Sequence, residues 1–154
     1  KDWAVILLSI IGLGDFSELY GFVSGNEVLR ATALVLGKVV DELGTNEDFV
    51  GDPGGGNFIV ITTPEMTEKL KESFIAQLKR TLSYFYPVAD REKVAGRAST
   101  DENNTGEAKS VPMMSISIGT VLAKDHQFAE VKDIIAALMT QQSTVTQVPN
   151  GDTL

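Results

Sequence analysis

The chain has 154 residues, 43% of them hydrophobic and 22% charged, with no cysteine and a formal net charge of −8. A chain of this length is one domain able to bury roughly 70% of the surface its unfolded form exposes, so no disulfide or metal staple is needed. With 13 Lys and Arg against 21 Asp and Glu, there is no cationic excess to displace counterions. This argues against a nucleic-acid surface. The absence of cysteine suits a reducing compartment, and a cytoplasmic location is expected.

Trp3 to Leu13 is the most apolar run. It is far shorter than the roughly 20 residues that span a bilayer, and it has neither a basic leader nor a small-residue cleavage site, so no membrane insertion is expected. Ala4 to Ile11, apolar but for Ser9, instead predicts a central strand covered on both faces. Because this strand begins almost at Lys1, the chain reads as a domain cut from a longer multidomain protein. A helical stretch follows. Gly25-Asn26-Glu27 then introduces a second helix with Leu29, Thr32, Leu36, Val39 or Val40, and Leu43 on one stripe and Gly44 at its stop.

Asp52-Pro53-Gly54-Gly55-Gly56-Asn57-Phe58 is a glycine turn opening into another apolar run, and it predicts a β-hairpin with arms Phe49 to Gly51 and Phe58 to Ile61. Thr63-Pro64-Glu65 starts a third helix in which Leu70, Phe74, Leu78, Leu82 and Phe85 recur at helical spacing. From Pro87 to Val111 the pattern dissolves into a long loop or irregular hairpin. Met113 to Val121 alternates as a strand, and Phe128 to Met139 supplies a last helix. Residues 140–154 read as a polar, fraying tail after a core of about residues 4–139. The order β-α-α-β-β-α-loop-β-α is α+β, close to a ferredoxin-like β-α-β-β-α-β core with an added helix.

The glycine hairpin resembles the signature of GGDEF domains, the diguanylate cyclases, whose fold belongs with the nucleotide cyclase and polymerase palm types. Two further segments carry the likeness. Ser9-Ile10-Ile11-Gly12-Leu13-Gly14-Asp15-Phe16-Ser17, Gly21-Phe22 and Gly25-Asn26-Glu27-Val28-Leu29-Arg30 follow the family's first strand and second helix without a gap, and Ser115-Ile116-Ser117-Ile118-Gly119 is similar to its late strand. Phe85-Tyr86-Pro87 and Asp90-Arg91-Glu92-Lys93 resemble a variant found in response-regulator-type proteins. The resemblance implies metal-dependent joining of two GTP molecules into cyclic di-GMP, with magnesium held by carboxylates of the strand and hairpin.

At the matching positions those carboxylates are absent: Ser9, Gly56 and Asn57 stand there, a vestigial catalytic site. The phosphate-binding lysines correspond to Gly14 and Gln142, and the base-recognising residues to Ser17 and Asn26. Any residual ligand contact is therefore expected at Gly14, Ser17, Asn26, Gly54, Gly55 and Gln142, without a metal or other cofactor. The product-inhibition motif Arg-x-x-Asp falls on Thr45-Asn46-Glu47-Asp48, which keeps the acid and lacks the guanidinium.

Simpler readings stand beside these. The three glycines serve a plain turn as well as a phosphate cradle. Gly12-Leu13-Gly14-Asp15-Phe16-Ser17 mimics a dinucleotide fingerprint, but no Rossmann unit continues from it. His126 has no Cys or His partner for zinc, and Met113 and Met114 suit core filling. The expectation is a catalytically inactive signalling module in cyclic di-GMP-related transduction, meeting other domains or a signalling protein and weakly GTP or cyclic di-GMP. Two alternatives are an active cyclase or other GTP-using nucleotidyl transferase with displaced ligands such as Asp15 and Asp52, which would need magnesium, and a dimerising structural module.

Overall fold

The computed structural model describes residues 2–91, 113–123, 133, 136 and 144–148, the last five by their backbone. Strand β1 (Ala4–Ile11) has the bounds its apolar run predicts. It pairs antiparallel with β3 (Asn57–Thr62) on one edge and with β4 (Met114–Leu122) on the other. With β2 (Phe49–Gly54) outside β3 and β5 (Thr144–Val148) outside β4, the sheet order is β2-β3-β1-β4-β5. The first four strands make the ferredoxin-like arrangement, in which each helical crossover skips one strand.

One crossover contains α1 (Leu13–Tyr20) and α2 (Phe22–Leu43). The other contains a 3₁₀ turn (Pro64–Met66) and α3 (Thr67–Ser83). Side chains alternate along a strand, so Ile6, Leu8 and Ile10 enter the main core with Phe58 and Val60 of β3 and Met114, Ile116 and Ile118 of β4. Against them lie Phe16 of α1, Val28, Leu36, Val39 and Val40 of α2, and Leu70, Phe74, Leu78 and Leu82 of α3. Each such buried Leu or Phe contributes about 1.5–3 kcal/mol relative to an exposed one. On the other sheet face Val5, Leu7 and Val121 are buried, and the partly buried Trp3 and Ile59 pack against them. Burial on both faces from Ala4 to Leu8 explains the continuous apolar run there.

Three expectations are corrected. Helix α2 starts at Phe22, not at Gly25, because Gly25 is a buried helical residue at the α1–α2 contact, where a Cβ would overlap the Ser17 hydroxyl. The hairpin arms are longer than expected: Gly54 pairs with Asn57 around Gly55-Gly56, whose φ values of 67° and 78° mark a type I′ turn. The tail expected to be polar and frayed contains β5, whose Thr-Val-Thr-Gln-Val sequence pairs along β4. Gly44 does end α2 and Met114 is core. Within the expected loop from Pro87 to Val111, residues 88–91 are helical. Asp133 and Ala136 are helical within the expected last helix, and His126 and the rest of that helix lie outside the described residues.

The turn from β1 into α1 depends on Gly12, whose φ is 86° and whose Cβ would stand 2.9 Å from the Met113 carbonyl oxygen. We expect Gly12→Ala to lower unfolding free energy by about 2 kcal/mol or more, from left-handed backbone strain plus overlap with a fixed backbone atom. Gly14→Ala, at a helical position with nothing within 4 Å of the new Cβ, should leave stability unchanged or raise it by up to about 1 kcal/mol. Urea titration of the two variants beside the parent checks the contrast.

Candidate functional site

Antiparallel register sets Ser9 opposite Asn57 of β3 and opposite Ser117 of β4. The end of the central strand and the base of the glycine hairpin therefore meet, as the sequence resemblance requires. The Ser9 hydroxyl donates to Asn57 Oδ1 at 2.6 Å, and Asn57 Nδ2 donates to the Gly54 carbonyl at 3.2 Å. The Ile10 N–H donates to the Gly56 carbonyl at 2.9 Å, pinning the buried Gly56 over the strand end while Gly54 and Gly55 stay exposed. A Cβ on Gly56 would lie 3.2 Å from the Ile10 carbonyl oxygen.

These groups do not fit a divalent cation. Magnesium prefers carboxylate or phosphate oxygens in an octahedral set, whereas Ser9 and Asn57 are neutral and hydrogen-bonded to one another. Asp52, at the hairpin, accepts from the Gly54 N–H at 2.8 Å, and Asp15 is exposed on α1. Among the described residues no three His, Asp or Glu side chains gather in a way that could hold a metal.

The remaining positions are spread around the first two helices. Gly14 is exposed in the first turn of α1, Ser17 faces Gly25 at the α1–α2 contact, and Asn26 is exposed on α2. Gln142 lies outside the described residues. Close packing of Ser17 on Gly25 brings the two helices together beside Ser17 and Asn26, the positions that the resemblance assigns to base recognition.

Asp48 is engaged within the chain. Its Oδ1 accepts from Thr45 Oγ1 at 2.9 Å, and its Oδ2 accepts from the Thr45 N–H at 3.1 Å and from Thr62 Oγ1 at 3.0 Å. This carboxylate ties the loop before β2 to the end of β3. Neither this network nor the tyrosine contacts below were foreseen in the sequence; only the i, i+4 spacing of Phe16 and Tyr20 hinted at the latter.

Tyr20 packs on Phe16 and Tyr86 at ring separations of 4.8 and 5.8 Å, and its hydroxyl donates to Asp90 Oδ2 at 2.6 Å. The Tyr86 hydroxyl accepts the Met114 N–H at 3.0 Å, so this aromatic group joins α1 to the segment after α3 and to β4.

No protein-family profile matches the chain, and no curated protein matches it. Solved structures do. The GGDEF domain of YfiN from Pseudomonas aeruginosa superposes with a TM-score of 0.59 at 17% identity, over 92% of this chain and 71% of that one. The chain has a GGDEF-type fold. An active GGEEF domain of a diguanylate cyclase from Vibrio cholerae gives 0.51 at 19% identity, over 91% and 76%. SiaD, a P. aeruginosa diguanylate cyclase solved in complex with its activator SiaC, gives 0.54 at 13%, and there the chain spans 92% of its own length and 45% of SiaD.

Burial, followed by the hydrogen bond to Asp90, raises the Tyr20 phenol above its ordinary value. The folded state thus holds that proton more tightly than the unfolded chain does. The resulting stabilisation is complete below about pH 10, the ordinary phenol value, and is lost as pH rises through the folded-state value. Tyr20→Phe should therefore lower stability at pH 8 and flatten the loss of stability above about pH 10. Chemical denaturation of parent and variant between pH 8 and 11 reads both effects.

Proposed function

We propose that this GGDEF-type domain makes no cyclic di-GMP and acts as a regulatory module in cyclic di-GMP-related signalling. The observation that carries the reading is the Ser9 to Asn57 hydrogen bond at 2.6 Å, which joins two neutral side chains where the family resemblance would set carboxylates around magnesium. Packing of Ser17 against Gly25 supports the same conclusion, because it leaves the α1–α2 contact filled by protein atoms. The positions open to a nucleotide are the exposed Gly14, Asn26, Gly54 and Gly55. Partner binding suits the fold: SiaD is known in complex with a protein activator. No helix among the described residues is long and apolar enough to cross a membrane, and the module is assigned to the cytoplasm as part of the same proposal.

Incubation with GTP and magnesium or manganese, followed by chromatography, should yield no cyclic di-GMP. Removal of even one charged group from such a site typically lowers rate by orders of magnitude. Product that forms and then disappears in Asp15→Asn or Asp52→Asn would overturn the proposal in favour of displaced metal ligands.

Restoring the hairpin acids alone should not restore tight binding. Gly56→Asp with Asn57→Glu rebuilds the signature but leaves the metal without a strand ligand and adds strain at a φ of 78°. Adding Ser9→Asp should increase magnesium-dependent GTP affinity beyond that of the double variant, because opposed carboxylates share a cation that neither holds well alone. Calorimetric titration of the parent and both variants tests this ordering. A parent that binds Mg-GTP as tightly as the triple variant would contradict it.

A further inference from the structure

The outward face of α2 carries Arg30, Leu34, Gly37 and Asp41 at i, i+4, i+7 and i+11, which is one helical stripe. Leu34 is 68% exposed. Gly37 has open space where a Cβ would stand, and a shallow depression of about 430 Å³ is lined by Ala33, Leu34, Gly37, Lys38, Asp41 and Glu42. Among the described residues Arg30 pairs with Glu27, a neighbour on its own helix, at 3.4 Å, and its side chain is 72% exposed. Exposed pairs of this kind exchange readily because each is worth less than about 1 kcal/mol.

We propose that this stripe docks on the same stripe of a second copy of the chain, with the two α2 helices antiparallel. A two-fold axis crossing α2 between residues 35 and 36 sets Leu34 opposite Gly37 and Arg30 opposite Asp41, and the symmetry makes each contact twice. The leucine is then a knob and the glycine its notch, and the cation of each copy meets the anion of the other about 8 Å from the axis at 1.5 Å rise per residue. In the same register Lys38 falls opposite Ala33, Glu27 opposite Gly44 and Glu42 opposite Leu29, so no like charges meet. A parallel arrangement would set Arg30 on Arg30 and Asp41 on Asp41. This self-complementarity selects a second copy over an unrelated partner.

One helix face is much smaller than the roughly 800 Å² per partner of a standard interface, and a net charge of −8 adds repulsion. The dimer is therefore weak and concentration-dependent. Sedimentation velocity from about 10 μM to 1 mM at low ionic strength, where Debye screening is least, should show reversible dimerisation. Arg30→Glu and Asp41→Arg should each weaken association roughly tenfold, since one reversal spoils two pairs by symmetry. The combined variant should regain association to within about threefold of the parent. Gly37→Gln should weaken the dimer while raising the melting temperature of the monomer, because it fills the notch and removes a helical glycine. A parent that stays monomeric throughout, single reversals that leave association unchanged, or a combined variant as weak as the singles would each overturn the proposal.

Discussion

Strand β1 is hydrogen-bonded on both edges, and the rest of the molecule depends on that constraint. A strand paired from Ala4 to Ser9 with β3 and from Ala4 to Ile11 with β4 cannot shift by one residue without turning Ile6, Leu8 and Ile10 out of the helical core. Its register is therefore fixed by burial, and burial in turn fixes Ser9 in a row with Asn57 and Ser117. The polar end of the central strand is thus a by-product of the apolar end. What sits there is decided by side-chain identity alone, since backbone geometry brings any residue at position 9 to the hairpin.

Sequence showed much of this because the strongest signals are periodic. The eight-residue run of β1, the Leu70, Phe74, Leu78 and Leu82 stripe of α3 and the glycine hairpin each have one physical solution. Other features were illegible for identifiable reasons. Gly25 and Asn26 read as punctuation, yet Gly25 sits inside α2 because the close approach of Ser17 tolerates no side chain. A helical glycine costs about 1 kcal/mol relative to alanine, and the α1–α2 packing offsets that cost. β5 was hidden in a polar tail because its five residues mix threonine and glutamine with only two valines, too short a segment for its pattern to stand out. Its four β-branched residues were the available signal, and the β4 edge supplies the ladder that an isolated Thr-Val-Thr-Gln-Val segment lacks.

At the site, the resemblance brought Ser9 and the hairpin together, but their mutual hydrogen bond depended on register that no single sequence displays. The two-residue turn supplies it. Positive φ at both Gly55 and Gly56 closes the hairpin so that Gly54 pairs with Asn57, and that pairing aims the Asn57 amide at Ser9 and back at the Gly54 carbonyl. Thr45 and Asp48 show the same self-satisfaction at the other end of the hairpin. There the Thr45 hydroxyl and backbone N–H both donate to the Asp48 carboxylate.

The coupled character of these neutral side chains has an electrostatic reason. Two carboxylates facing each other at a strand end repel and need a cation between them, while one carboxylate facing an amide loses hydration without gaining a counter-charge. Replacing only one member would leave the other as an uncompensated charge, partly buried between β1 and β3. Serine and asparagine together avoid both penalties, because one donates a hydrogen bond that the other accepts at 2.6 Å. The strand, the turn and their register are held by the hydrophobic contacts of Ile6, Leu8, Phe58 and Val60, one residue away from this pair.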